Sequence, residues 1–369
     1  MRADVLRLPM AHPGDLSALD VAIASGRVEA ASIVAIIGKT EGNGGVNDFT
    51  RGYFTQSLMA LLASHTGETA ATLAGRIPCV LSGGTEGVLS PHYLVFSRTG
   101  DHTSVSTGPA LAIGTAFSSP MDPADIGRRA HVESVAAAVR AAMADAGIDD
   151  PAEVRLVQVK APCVTSARAE AARHAGRTVL TADPGRSMAF ARAAGTLGVG
   201  LALGELSAPS EAAMLSDFTV TCDRASISSG VEVEANEVIV LGNSPTWSGP
   251  LRMAHRPMAD ALDIAAVVAA LDDLGLDARP QLTPSDKARI RGVLVKCEPD
   301  RRGMIRAQRH TMLDDTDINA QRHIRGAVGG LVAGVIGDTR IFVSGGAEHQ
   351  GPDGGGLIAI IAEIPGSLS

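Results

Sequence analysis

Short apolar runs alternate with Ala- and Gly-rich stretches along the chain, and three of these runs end on lysine. They occupy residues 32–38 before Lys39, 154–159 before Lys160 and 291–295 before Lys296. Their brevity and β-branched content predict buried strands. After each comes a small-residue stretch that predicts a helix bearing an arginine: 50–63 with Arg51, 187–196 with Arg192 and 318–335 with Arg325. A second apolar strand then ends in a serine loop. The loops are Ser82-Gly83-Gly84-Thr85-Glu86, Ser228-Ser229-Gly230-Val231-Glu232 and Ser344-Gly345-Gly346-Ala347-Glu348.

The remaining pattern predicts helices over 132–146 (ended by Gly147), 167–175 and 259–274, and strands over 111–117, 199–206 and 356–362. A loop rich in Gly and Asn covers 41–48, and 245–250 has linker composition. Three units follow: 1–103, 111–250 and 255–369. Strand and helix alternate in each, so the fold class is α/β. Lysine and serine stand 43, 68 and 48 residues apart in the three units, too uneven for a linear solenoid. Three diverged units closing around a pseudo-threefold axis with a central site fit better.

Composition narrows the function. Apolar residues make up 45% of the 369, enough for well-buried α/β cores. Aromatics are only 3% and the net charge is −8, which argues against nucleic acid as a partner. No apolar run approaches the roughly 20 residues of a membrane span, and the first residues lack a signal-peptide core, so a cytoplasmic protein with no membrane partner is expected. Cys79, Cys163, Cys222 and Cys297 are widely spaced in apolar settings and read as reduced core thiols.

The lysines and serines carry the chemistry. A hydroxyl becomes a nucleophile when a neutral lysine takes its proton, and clustered cations with burial lower a lysine's proton affinity. The glycines behind each serine free backbone N–H groups to hold a carbonyl oxygen. Each arginine offers a planar donor fork. Other motifs fall away. Gly38-Lys39-Thr40 mimics the end of a phosphate-binding loop, but Ile33 stands where its first Gly belongs. No HExxH occurs among the ten histidines, and Asp314, Asp315 and Asp317 lack the Gly and Glu of a calcium loop.

On Lys39, Lys160, Lys296, the three arginines and the three serine loops, the chain resembles the cyanuric acid hydrolase/barbiturase family of ring-opening amidohydrolases over essentially its whole length. The resemblance implies three similar α/β units around one central site. It implies hydrolytic ring opening of cyanuric acid to carboxybiuret, which decarboxylates to biuret. Lys160 would be the base and Ser228 the nucleophile of a Ser-Lys dyad acting through an acyl-enzyme, with Lys39 and Lys296 in supporting dyads. Arg51, Ser82, Gly83, Arg192, Ser228, Ser229, Arg325, Ser344 and Gly345 would hold the substrate. The resemblance also implies a structural Mg²⁺ or Ca²⁺ held by Glu298 with Ala347, Gln350, Gly351, Pro352 and Gly355, no organic cofactor, and a homotetramer. Barbituric acid is the alternative substrate. A non-catalytic binder of a triketo ring would have no need of three lysines.

Overall fold

The computed structural model describes residues 1–100, 108–207 and 210–364. Residues 101–103, 208–209 and 365–369 of the expected units lie outside them. The first unit contains β1 (Arg2–Pro9), α1 (Ser17–Ala24), β2 (Ile33–Thr40), α2 (Thr50–Thr66), α3 (Ala70–Ala74), β3 (Cys79–Gly83) and β4 (His92–Thr99). Its sheet runs β1-β4-β2-β3, and only the β2–β3 pair is parallel.

Two further units repeat this plan. The second has β5 (Ala110–Phe117), α4 (Arg129–Ala146), β6 (Val154–Pro162), α5 (Ser166–His174), α6 (Pro184–Ala202), β7 (Ala225–Gly230) and β8 (Glu237–Ser244). The third has β9 (Leu251–Met258), α7 (Ile264–Asp272), α8 (Pro284–Arg289), β10 (Ile290–Cys297), a small hairpin of β11 (Met304–Ile305) and β12 (Gln308–Arg309), α9 (Ala320–Ile336), β13 (Phe342–Gly345) and β14 (Gly356–Glu363). Their sheets run β5-β8-β6-β7 and β9-β14-β10-β13, again with one parallel pair each. Even the register irregularity recurs at the start of each lysine strand, at Ile33/Ala35, Val154/Leu156 and Ile290/Gly292. The fold is therefore a triplicated four-stranded α/β unit.

Both faces of each sheet are buried, and in the first unit both are largely apolar. In the first unit one face packs Ile36, Tyr93 and Val95 against Phe54, Leu58 and Leu62 of α2. The other face sends Ile37, Val80 and Leu94 into a shared core with Val157 and Val159 of the second unit and Leu294, Phe342 and Ala359 of the third. Parallel pairs buried on both faces read as continuous apolar runs, which is why these strands were visible in the sequence.

Three expectations change. The strand expected over 199–206 is absent, because α6 continues through Ala202. Its glycines let it lie against its neighbours: a methyl on Gly195 would meet Ile227, and one on Gly198 would meet the Val132 carbonyl and Val135. The helix expected over 259–274 is shorter, Ile264–Asp272, and strand β9 precedes it. This edge strand pairs only with β14, so Arg256 and Pro257 are tolerated in it and mask its pattern. The 245–250 segment is packed: Trp247 is buried and its Nε1 donates to the Ala146 carbonyl at 2.7 Å. All four cysteines are buried and free. Among the described residues no helix is long and apolar enough to cross a membrane.

Candidate active site

The parallel pairing places each lysine beside its serine: Lys39 with Ser82, Lys160 with Ser228 and Lys296 with Ser344. All six are buried. Burial with Arg325 nearby drives Lys39 well below the ordinary lysine range. Burial with Arg192 nearby brings Lys296 down to about 7. Lys160 is lowered by burial too, against the opposing pull of Glu232.

The three pairs are not equivalent. Lys39 Nζ donates to Ser82 Oγ at 3.2 Å and to the Gly83 carbonyl at 3.3 Å. Lys296 Nζ does the same with Ser344 Oγ and the Gly345 carbonyl, both at 3.1 Å, and also reaches the Ile227 carbonyl of the second unit at 2.7 Å. Lys160 instead pairs with Glu232 at 2.7 Å and donates to the Leu81 carbonyl of the first unit at 3.0 Å. Ser228 Oγ lies 3.3 Å from Ser344 Oγ. The second lysine thus faces a carboxylate where the other two face a hydroxyl.

The arginines close a ring between units. Arg51 of the first unit meets Glu232 of the second at 2.6 Å, Arg192 of the second meets Glu348 of the third, and Arg325 of the third meets Glu86 of the first. Arg192 and Arg325 each spend Nε and Nη2 on their glutamate, in the bidentate geometry that makes such pairs strong, and among the described residues their Nη1 has no hydrogen-bond partner. Arg51 is fully engaged, because its Nη1 also meets Asp48 at 3.3 Å. Lys160 and Arg51 outweigh burial at Glu232 and hold its carboxyl at about 2.

Ser82, Ser228 and Ser344 and the three arginines line one cavity of about 40 Å³, with Gly44, Leu81, Gly83, Lys160, Met188, Ser229 and Gly345. Lys160 is the one lysine of the three on its wall. A wider mouth of about 1130 Å³ lies outside, sharing Gly44, Met188, Arg192, Arg325 and Gly345 with it. Gly83 and Gly345 are glycine for space: a Cβ on Gly83 would fall 1.8 Å from Asp48 Oδ2, and one on Gly345 would fall 2.7 Å from Gln321 Oε1. Ser229 escapes that crowding, and its Oγ donates to the Pro162 carbonyl at 3.5 Å.

The structure brings together the lysines, serines and arginines that the repeat singles out, and adds the loop glutamates, which sequence reasoning does not pair with the arginines. Their spacing, four residues after each serine, was the available signal. Met188, Gly44 and Asp48 carried no such signal.

Glu298 is buried beside Glu348, with Arg301 3.6 Å from its carboxylate. Burial and then Glu348 push its carboxyl up to about 8. The loop around it is tightly folded: Ala347 O accepts from Gln350 N, Pro352 O from Gly355 N and Gly355 O from Glu298 N. Gly351 has positive φ, and the Gln350 side chain caps Ile227 N through Oε1 at 2.7 Å. Among the described residues no group of three or more His, Cys, Asp or Glu could hold a metal. A cation here would rest on one carboxylate and backbone oxygens, ligands that suit a hard cation, and its charge would favour the ionised form of Glu298.

The sequence pattern of the family described as amidohydrolase ring-opening protein matches residues 4–363. The cyanuric acid amidohydrolase of Azorhizobium caulinodans is 50% identical over 362 residues, covering 98% of each chain. That of a Bradyrhizobium species is 48% identical, also over 98% of each. A solved cyanuric acid hydrolase, described as evolutionary innovation by structural concatenation, superposes with a TM-score of 0.94 at 42% identity, over 98% of this chain and 99% of its own. The crystal structure of the A. caulinodans hydrolase gives 0.90 at 49%, with the same coverage.

Proposed function

The chain belongs to the ring-opening amidohydrolases and is a hydrolase of cyclic amides; from that premise we propose that it opens cyanuric acid. One observation carries the reading: three serines and three arginines from three equivalent units converge on a single small cavity. Cyanuric acid repeats its carbonyl and N–H groups three times around a ring, so one set of contacts serves every side of it. The Nη1 donors of Arg192 and Arg325 suit its carbonyl oxygens or an anionic ring nitrogen.

Lys160 takes the proton of Ser228, and Ser228 Oγ attacks a ring carbonyl carbon. The C–N bond breaks, Lys160 returns the proton to the departing nitrogen, and an acyl-enzyme remains. Water then releases carboxybiuret, which loses carbon dioxide to give biuret. Support for the second unit comes from position, since Lys160 alone of the lysines borders the cavity. To act as a base it must exchange Glu232 for Ser228; catalytic hydrogen bonds are commonly loose before substrate arrives. Ser82 and Ser344, already paired with their own lysines, orient the other two carbonyls. Glu298 and the loop of Ala347, Gln350, Gly351, Pro352 and Gly355 would hold a Mg²⁺ or Ca²⁺. Such an ion would neutralise Glu298 and brace the third serine loop.

The test is a parallel assay of cyanuric and barbituric acids with the purified protein. Biuret and carbon dioxide from cyanuric acid, with Ser228→Ala and Lys160→Ala inactive and Ser82→Ala mainly raising KM, is the expected result. Turnover of barbituric acid alone, or near-normal kcat in Ser228→Ala, overturns it.

A further inference from the structure

The second unit departs from its siblings directly beneath its lysine. Side chains alternate faces along a strand, so the residue two before each lysine shares its face, about 6.6 Å away along the strand. These residues are Ile37, Gln158 and Leu294. Their parallel-strand partners are Val80, Ser226 and Phe342, and their antiparallel partners are Leu94, Ile239 and Ala359. All nine are buried in the centre of the molecule. Two units thus seal the floor below their lysine with hydrocarbon, while the second places an amide and a hydroxyl there.

Among the described residues neither the amide nitrogen nor the amide oxygen of Gln158 has a hydrogen-bond partner, and both are fully enclosed. Buried amides in folded proteins are nearly always satisfied, and where protein groups do not serve, ordered water does. Such a water needs several polar partners, and the amide oxygen, the amide nitrogen and the neighbouring Ser226 hydroxyl provide them. The layer above is also unusual. Across the sheet from Lys160 stands Glu237, where the other lysines face His92 and Leu357. Glu237 accepts a hydrogen bond from Cys79 N of the first unit at 2.7 Å.

We propose that Gln158 and Ser226 hold an internal water beneath Lys160, making Gln158 a positioning residue that sets the hydration of this one lysine. The proposal rests on Lys160 being the base. Lys160 is faced by Glu232 from its own loop, Glu237 from β8, Arg51 from α2 and the Leu81 carbonyl from β3. The water adds the solvation that lets this lysine hold and release a proton. Lys39 and Lys296, over dry floors, lack it.

Two measurements test the proposal. A high-resolution crystal structure should show an ordered water within hydrogen-bond distance of the Gln158 amide. Gln158→Met, close in shape but apolar, should dry the floor and lower the proton affinity of Lys160. The acidic limb of the kcat–pH profile then moves to lower pH, and plateau kcat falls severalfold for a base weakened by about one unit, because only part of the lost basicity is felt in the transition state, with KM little changed. Gln158→Leu, which copies Leu294, serves as the second variant and should melt no lower than the parent. A Gln158 amide paired with protein and no water, or variants with the parental pH profile and kcat, overturns the proposal. Full activity in Lys160→Ala would instead remove the underlying assignment of the base, while the water would still be seen.

Discussion

Glu232 has two partners in the ring of charges: it grips Arg51 of the preceding unit and pairs with Lys160 of its own. Its negative charge favours the protonated lysine, so removing it lowers the proton affinity of Lys160. Glu232→Gln is expected to move the acidic limb of kcat/KM to lower pH by about one unit or more, and to raise KM as Arg51 loses its anchor. A pH–rate series on the variant checks this, and an unmoved limb would show that Glu232 does not govern Lys160. The lysines, serines and arginines were legible because each type recurs three times in one order. The Arg–Glu pairing was not, since its partners lie 181, 156 and 239 residues apart.

At the level of elements, close approach decides what composition leaves open. The run 199–206 looks like a strand, yet α6 absorbs its first residues, starting from Pro184 behind an Asp183 cap and carrying glycines where it crosses α4 and β7. Gly198→Ala should push its new methyl into the Val132 carbonyl and Val135, destabilising the protein by roughly 1–3 kcal/mol. Thermal unfolding reads this directly, and an unchanged melting point would mean that α4 and α6 have room to separate. The opening strands β1, β5 and β9 were harder to see than the lysine strands. All three are edge strands paired on one side only, so their sequences tolerate polar residues and proline.

Across the whole molecule, three buried or half-buried ion pairs tie unit to unit, and acid should release them. Burial opposes ionisation of Glu232, but Lys160 and Arg51 hold it at about 2 against an ordinary 4.5. Glu86 is likewise held below its ordinary value by Arg325 despite burial. A depressed folded-state pKa means that the unfolded chain binds more protons in acid, so this stability is complete above 4.5 and is lost as pH falls toward 2. The melting temperature should therefore drop steeply over that window; a flat profile there would count against the seams as stabilising contacts. Chelation offers a separate check on the third serine loop. If a cation neutralises Glu298, its removal should lower the melting temperature more than it lowers the rate per molecule.

The sequence by itself determined the α/β class, the three units and the polar groups at their strand ends. Strand and helix periodicity are local properties, and repetition made them readable. Tertiary structure alone decided that each arginine serves the next unit's glutamate, that Lys160 turns from Ser228 to Glu232, and that Gln158 sits in the central core unpaired among the described residues. Those outcomes depend on how three sheets close against one another, and closure sets distances between side chains that no spacing along the chain records.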